Sequence, residues 1–205
     1  MQGFILSTKL NKEEDKIVKI LTSNEIITLY RFYGARHSQL QRGNLIDFVI
    51  ENNIFGKIPK LRSPIQIPFL PLSLSIDEKL KWDIFFKFLN YHLRGVLKLP
   101  PFYYQKLFFM SKELNFRPTT RVLIEGLFEI LKFEGSLAFV NKCNICHFPL
   151  QKKVAVERNS FHLVHPSCAP SAPSFPKRAL QELYIYQKSV LFTSSQLEIL
   201  WKYLF

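Results

Sequence analysis

The feature that most constrains the fold of this 205-residue chain is a change of hydrophobic pattern at residues 64–75. Before this segment, apolar residues alternate in short runs of β-branched and aromatic side chains, which is typical of strands. After it, they recur every three or four residues, which is typical of helices. The segment itself contains three prolines and suits neither a helix nor a central strand. We therefore predict an N-terminal β domain followed by a helical region.

Residues 1–75 are predicted to form a five-stranded OB-fold β-barrel, because five short runs of strand-forming residues fit within this length. Glycines at Gly34, Gly43 and Gly56 mark the turns. The predicted strands cover residues 3–8, 16–22, 26–33, 45–49 and 65–67.

The later residues predict an all-helical domain with one insertion. Ser75 and Glu78 have the spacing of a capping box, so a long helix should begin near residue 76, and Ser195 with Glu198 predicts the same for the last helix. The other predicted helices cover residues 102–116, 119–140 and 177–190. The predicted fold class is α+β multidomain, with a barrel, a helical domain, a zinc-binding insertion and C-terminal helices that complete the helical domain, at residues 1–75, 76–140, 141–170 and 171–205.

The clearest chemical signal is a C-x2-C…H-x2-C arrangement, which is typical of zinc ligands. Its members are Cys143, Cys146, His165 and Cys168. Two ligands separated by two residues can reach one metal from a single turn, and a short hairpin is predicted between the two turns. His162 competes with His165 for the fourth position, whereas His147 should point away from the metal; the alternative is three unliganded thiols. Four protein ligands leave no open position, so we predict one structural Zn2+ per chain.

Known catalytic motifs are missing from the sequence. No histidine is followed at one or two positions by glutamate, which excludes the signatures of zinc deaminases and metalloproteases. The glycines are too scattered for a phosphate-binding loop or a nucleophile elbow. The acidic residues 13–15 lie between two predicted strands with lysines on both sides, which favours a solvated turn over a catalytic acid pair. We therefore expect that the protein is not an enzyme.

The chain is strongly basic, with 28 Lys+Arg against 16 Asp+Glu and a formal net charge of +12. The positive charge is spread along the chain, with no acidic tail or block to offset it. Such charge favours polyanion binding, because binding releases the counterions condensed on nucleic-acid phosphates. Nucleic acid is the expected partner, and the alternative is a basic protein whose charge serves solubility.

The predicted DNA-binding residues form two sets. In the barrel, cations are interleaved with aromatic side chains, a combination with which OB barrels stack bases and pair with phosphates. Because side chains alternate along a strand, Tyr30 or Tyr33 is expected at the surface, but not both of the neighbours Phe32 and Tyr33. The barrel set comprises Lys9, Lys12, Arg31, Tyr33, Arg36, His37, Arg42, Lys57, Lys60 and Arg62. The second set, near the cysteines, comprises Lys152, Lys153, Arg158, Lys177 and Arg178.

The order of these parts resembles the bacterial recombination mediator family RecO over nearly the whole chain. The resemblance is carried by a first strand of glycine and hydrophobic residues, an acidic turn, a second strand that ends in threonine and a third that runs into Gly-Ala-Arg, at residues 3–6, 13–15, 16–22 and 34–36. It continues into a helical domain interrupted late by a zinc knuckle. Many members of the family have four cysteines in this knuckle, whereas His165 takes one of these places here.

The resemblance implies a non-enzymatic protein of DNA repair, DNA recombination and the SOS response. Such a protein binds single- and double-stranded DNA, anneals complementary strands, contacts the C-terminal tail of the single-strand-binding protein SSB and, with RecR, helps to load RecA onto SSB-coated strands. The residues alone leave two alternatives open. One is a zinc-stabilised RNA-binding module in RNA metabolism or translation, and the other is an interaction scaffold.

The location is predicted from the same residues. No apolar run approaches the roughly 20 residues that a spanning helix needs, and the N-terminus lacks the pattern of a secretory signal. Three clustered cysteines cannot form a disulfide framework. We expect a cytoplasmic, nucleoid-associated protein with no membrane partner.

Overall fold

The computed structural model of the chain describes residues 1–11, 14–52, 58–70 and 74–205. These residues form two compact units, Met1–Phe116 and Arg117–Phe205. The first unit joins the barrel with two helices, so it extends past residue 75, where the sequence predicts the end of the first domain. Within the described ranges, no helix is long and apolar enough to cross a membrane.

The first unit contains a closed barrel of five strands, as the sequence predicts. The strands are β1 (Gln2–Asn11), β2 (Asp15–Leu21), β3 (Ile26–Arg31), β4 (Leu45–Glu51) and β5 (Lys60–Gln66). Their order around the barrel is β1-β2-β3-β5-β4, and β4 pairs with β1 to close it. β3 and β5 run parallel, whereas the other neighbouring strands are antiparallel. This arrangement is that of an OB fold.

β5 begins at Lys60, well before the strand predicted at residues 65–67. In the sequence, Pro64 argues against a strand because it has no N–H to donate. In the structure, Phe48 of β4 lies between partners that pair with Arg62 and Ile65, so one residue of β4 faces two of β5. Pro64 lies in this bulge, where the ladder is interrupted and the missing donor does no harm.

The interior of the barrel is a continuous apolar core. Alternate side chains of the strands point inward, and each fully buried side chain of this kind stabilises the fold by about 1.5–3 kcal/mol. The core is formed by Ile5, Val18, Ile20, Leu29, Leu40, Ile46, Phe48 and Leu61. The polar and aromatic residues at the rim of the barrel are not part of this core, so the stability of the barrel does not depend on burying them.

One end of the barrel is covered by two helices, α1 (Ile76–His92) and α2 (Phe102–Glu113). The predicted capping box at the start of α1 is confirmed, since Ser75 and Glu78 bond reciprocally. Trp82 of α1 donates a hydrogen bond from Nε1 to the carbonyl oxygen of Gly43 at 3.1 Å. Gly43 has a φ of 84°, and a Cβ there would lie 2.8 Å from the Trp82 ring, so the close packing of α1 requires glycine.

The second unit combines three helices with a small sheet. Its elements are α3 (Thr119–Phe133), β6 (Lys153–Val156), β7 (Leu163–Val164), β8 (Ser174–Pro176), α4 (Lys177–Tyr186) and α5 (Ser194–Leu204). β6 and β7 form the short hairpin that the sequence predicts between the two cysteine-containing turns. β8 pairs with the other edge of β6, and this third strand is not predicted from the sequence.

Two helices of this unit end earlier than predicted. α3 ends at Phe133 and not near residue 140, because Gly135 takes a φ of 73°. The N–H of Ser136 then bonds to the carbonyl of Leu131, which is the pairing of a Schellman motif. α4 ends at Tyr186 and not at residue 190, because Gln187 is left-handed.

The capping box predicted for the last helix at Ser195 and Glu198 is wrong. α5 begins two residues earlier, and Thr193 with Gln196 forms the reciprocal pair. Both sequences have the required spacing, but Glu198 instead accepts a hydrogen bond from Thr120 of α3. The helix thus starts where its glutamate can bond to a neighbouring helix.

A buried carboxylate connects α3 to the segment between α4 and α5. Glu125 is only 2% exposed, and it accepts hydrogen bonds from the N–H and the hydroxyl of Ser189 at 2.8 and 2.7 Å. Arg117 donates to its other oxygen at 2.6 Å. Burial alone would raise the pKa of Glu125, but these donors outweigh it and lower the pKa. The charge is therefore fully partnered inside the unit.

Candidate metal centre and nucleic-acid surface

Four side chains of the second unit converge on one point, as their spacing predicts. Their ligand atoms all lie within 4.8 Å of one another. The four are Cys143, Cys146, His165 and Cys168. The three thiols form no disulfide among the described residues. Three sulfurs and one imidazole nitrogen at this separation could hold one metal ion in a closed tetrahedral site.

The first ligand pair lies on a tight turn at residues 143–148. The N–H of His147 donates to the carbonyl of Cys143 at 2.9 Å, and the N–H of Cys143 donates to the carbonyl of Phe148 at 2.8 Å. His147 has a φ of 61°, a left-handed conformation that bends the chain back after Cys146. Its side chain is exposed and outside the ligand cluster, in agreement with the expectation that it points away.

The orientation of His165 suits a metal ligand. Its Nε2 lies 3.0 Å from the carbonyl oxygen of Pro149, so this nitrogen carries the proton and donates to the carbonyl. The lone pair of Nδ1 then faces the sulfurs, 3.2 Å from Sγ of Cys146. A carbonyl acceptor behind a histidine ligand fixes the ring and its tautomer. His162, the alternative in the sequence, is exposed and is not part of the cluster.

The acidities of the thiols also fit a cation site. Burial disfavours the thiolate of Cys143, but backbone N–H donors from three neighbouring residues outweigh this effect and lower its pKa to about 6. Burial and the neighbouring sulfurs raise the pKa of Cys168 to about 11. The thiolate of Cys168 is therefore disfavoured near neutral pH unless a cation lies beside the sulfurs.

The barrel has a second candidate surface at the end opposite to α1, which we call the loop end. Here β1, β3 and β4 end and β2 and β5 begin, since Asn11 faces Asp15 and Lys60 faces both Tyr30 and Glu51. In OB folds, the loops after the first and fourth strands at such an end bind oligonucleotides and oligosaccharides. Two predicted site residues in these loops, Lys12 and Lys57, lie outside the described residues.

Two neighbouring aromatic side chains are exposed at the loop end. Phe32 is 43% exposed and Tyr33 is 59% exposed, so the expectation that only one of them reaches the surface is wrong. β3 ends at Arg31, and Tyr33 takes a left-handed φ of 51°, so the alternation of a strand no longer applies. Gly34 follows because a Cβ there would lie 2.7 Å from Cβ of Lys16.

Each of these rings has a cation beside it. Nζ of Lys60 lies 5.6 Å from the centre of the Phe32 ring, and Cζ of Arg36 lies 5.0 Å from that of Tyr33. Carboxylates also pair with these cations. Glu51 pairs with Lys60 at 3.2 Å and with Arg62, and Glu14 pairs with Arg36 at 2.7 Å.

Arg31 brings a positive charge that no described carboxylate neutralises. It donates to the carbonyl of Leu61 at 3.2 Å, and its Nη2 lies 2.9 Å from Nε2 of His37. Its Nε is buried with no hydrogen-bond partner among the described residues. Burial, followed by the charge of Arg62, lowers the pKa of Arg31. The predicted residues Arg31, His37 and Arg62 are thus close together at the loop end.

Two other residues of the predicted barrel set lie differently. Arg42 is next to the end that α1 covers, and its guanidinium pairs with both carboxylate oxygens of Asp83 at 2.8 and 2.6 Å. Lys9 is exposed near the end of β1, in register with Ile17. For both residues, a role in DNA binding stays a prediction.

Three residues at the loop end were not predicted from the sequence, namely Phe32 as a surface residue, Lys16 and Glu51. Lys16 contributes a further cation and donates to the carbonyl of Leu40 at 3.4 Å. A signal for Phe32 existed in the sequence, because Phe32 and Tyr33 directly precede Gly34, which marks the end of the strand. The partners of Glu51 could not be seen, since they depend on the register of β4 and β5.

In the second unit, four of the five predicted cations come together. Lys153 begins β6 and pairs in register with Pro176 at the end of β8, so Lys152 and Lys153 lie beside Lys177 and Arg178. The N–H of Lys177 donates to the carbonyl of Lys152 at 2.9 Å. Arg158 follows the opposite end of β6 and is separate from this group.

Cations and aromatic rings at the loop end of an OB barrel are the features with which barrels of this fold bind oligomers. Comparison with known proteins is consistent with this fold. The family described as RecO N terminal matches residues 1–70 of the chain. The N-terminal part is thus similar to that domain of a DNA repair and recombination family. No curated protein matches the chain.

Proposed function

We propose that the loop end of the barrel binds single-stranded nucleic acid. The observation that carries the proposal is the pair of exposed neighbouring rings, Phe32 and Tyr33, each with a cation beside it. Consecutive bases would stack on the two rings, and their phosphates would pair with Arg36, Lys60 and the uncompensated Arg31. Stacking on aromatic side chains combined with a cationic groove is how sequence-tolerant single-strand binding is achieved.

The similarity of residues 1–70 to the RecO N-terminal domain supports DNA as the substrate and recombination as the process. We propose a mediator without enzymatic activity that binds single- and double-stranded DNA and anneals complementary strands. With RecR, it would help to load RecA onto strands coated with SSB, whose C-terminal tail it would contact. Such a protein would act in the cytoplasm, at the nucleoid.

For the metal centre, we propose structural zinc. A set of three cysteines and one histidine suits this ion, and a closed site leaves no position for substrate. The ion would hold the two ligand turns together across the β6–β7 hairpin. The four ligand residues would coordinate the ion and take no part in catalysis.

The stacking proposal is tested with the double variant Phe32→Ala/Tyr33→Ala. Each stacked base contributes about 1–3 kcal/mol, so the affinity for a labelled oligonucleotide should fall at least about tenfold. The matched control is Tyr91→Ala/Phe116→Ala, which removes two aromatic side chains that are 74% and 88% exposed elsewhere in the first unit. Equal affinities of both double variants would refute the proposal.

The mediator proposal needs a functional assay. Two complementary oligonucleotides, each coated with SSB, are mixed with and without the protein, and annealing is followed by fluorescence. Acceleration of the coated strands is expected. Annealing of bare strands alone would remove the mediator role, whereas tighter binding of RNA than of DNA at matched salt would favour the RNA-binding alternative.

A further inference from the structure

The second unit contains a shallow cationic cavity that is open to solvent. It has a volume of about 470 Å³ and lies where β8 runs into α4, beside the start of β6. Its lining residues are Lys152, Pro176, Lys177, Arg178, Gln181 and Glu182. A cavity of this size accommodates a group as large as a nucleotide.

The cations of the cavity could bind an external anion, because two of them form no ion pair and the third is held in position. Lys177 is held in place because its Nζ donates to the carbonyl of Leu150 at 3.1 Å. Neither Lys152 nor Arg178 forms an ion pair in the part of the chain that the structure describes, and both are exposed. Three cations and the carboxylate of Glu182 give the lining a net charge of +2.

That net charge matches two phosphodiester groups, each of which carries one negative charge. Lys153 extends the positive charge beyond the cavity along the exposed start of β6, which suits a chain of phosphates better than a single free one. We propose that this cavity binds the phosphate groups of a second nucleic-acid strand, separate from the strand bound at the barrel. The proposal rests on the proposed function, in which the protein brings two complementary strands together for annealing.

The test uses the full chain with the double variant Lys152→Gln/Arg178→Gln. The protein is bound to a first oligonucleotide that is labelled and immobilised. A second, non-complementary oligonucleotide is then added at increasing concentration, and its capture is measured. Each lost phosphate contact flattens the log–log salt slope by about 0.7 for single strands, so two lost contacts weaken capture about 25-fold at 0.1 M salt. Binding of the first strand should stay within about twofold of wild type.

The control is Lys132→Gln/Lys202→Gln, which removes two exposed charges of the same unit outside the cavity. Capture by this variant should remain close to wild type. Equal capture of the second strand by the cavity and control variants would overturn the inference. Binding of inorganic phosphate at the cavity would also overturn it if the cavity variant captured the second strand as well as wild type does. If the wild-type protein binds no first strand at all, the proposed function fails. If wild type binds the first strand, and the cavity variant captures the second strand as well as wild type does, this inference alone fails.

Discussion

His37 lies at the loop end between two cations, and its neutral form is the one that fits there. Arg31 Nη2 lies 2.9 Å from its Nε2, so the neutral ring accepts a hydrogen bond from the guanidinium. Burial, followed by the charges of Arg31 and Lys16, holds the pKa of His37 below its ordinary value of 6.5. A proton on this ring is therefore less favourable in the folded protein than in the unfolded chain.

This difference predicts how stability changes with pH. Because the unfolded chain binds the proton more readily, the contribution of His37 is present above pH 6.5 and is lost as the pH falls through its lower folded pKa. His37→Gln keeps an acceptor for Arg31 but does not titrate. Urea midpoints at pH about 7.5 and 5 should therefore fall less in this variant than in wild type. An equal fall in both proteins would contradict the assignment.

Among the elements of the second unit, α3 is connected to the α4–α5 segment by the buried carboxylate of Glu125 and by Arg121, which donates to Ser189 and Phe192. Glu125→Ala would leave the donors of Ser189 and the guanidinium of Arg117 without their acceptor. Breaking a buried charge pair in this way should destabilise the fold by about 3–5 kcal/mol. Glu125→Gln keeps an acceptor and should lie between Ala and wild type. Urea unfolding measures both, and a Gln variant no more stable than Ala would argue against the hydrogen bonds.

The types of the elements could be predicted from the sequence more securely than their ends. Hydrophobic periodicity correctly indicated the barrel strands and the helices, and the capping box at Ser75 placed the start of α1. The start of α5 was misplaced because two overlapping residue pairs have the spacing of a capping box, and Glu198 is engaged instead with Thr120 of α3. Such a contact joins residues far apart in the chain, where local patterns carry no information.

The same distinction applies to the candidate sites. The spacing of two residues within each ligand pair, Cys143 with Cys146 and His165 with Cys168, predicted the cluster because such a pair can lie on one local turn. By contrast, the pairing of Arg42 with Asp83 and the proximity of Lys152 to Arg178 depend on tertiary packing. Sequence alone offered all these cations as equal candidates, and the structure separates those at the loop end or in the cavity from Arg42, which pairs with Asp83 of α1.

At the scale of the whole molecule, the described chain forms two compact units, and the metal ligands all belong to the second. Cys143→Ser should therefore lower the metal content and the melting temperature of the second unit while the barrel unit melts as before. The loss can be large, since structural zinc supplies on the order of 10 kcal/mol to small modules. Elemental analysis and calorimetry measure the two effects.

The control for this variant is His162→Asn, which changes a nearby histidine outside the cluster and should keep one metal ion per chain. Chelation of the wild-type protein should reproduce the effect of Cys143→Ser. Full metal content together with unchanged melting in Cys143→Ser would refute the site.

The carboxylates of Glu14 and Glu51 at the loop end have a consequence for selectivity. Each one already occupies the place beside a cation that a bound anion would take. A bound anion would compete with these carboxylates for the cations, so a sparsely charged polymer such as an acidic polysaccharide would gain little. A phosphodiester chain carries one negative charge at every nucleotide, so it would form several contacts with the cations at once. These contacts would outweigh the loss of the ion pairs with Glu14 and Glu51. The barrel would thus impose a threshold of charge density on what it binds, set by its own acidic side chains.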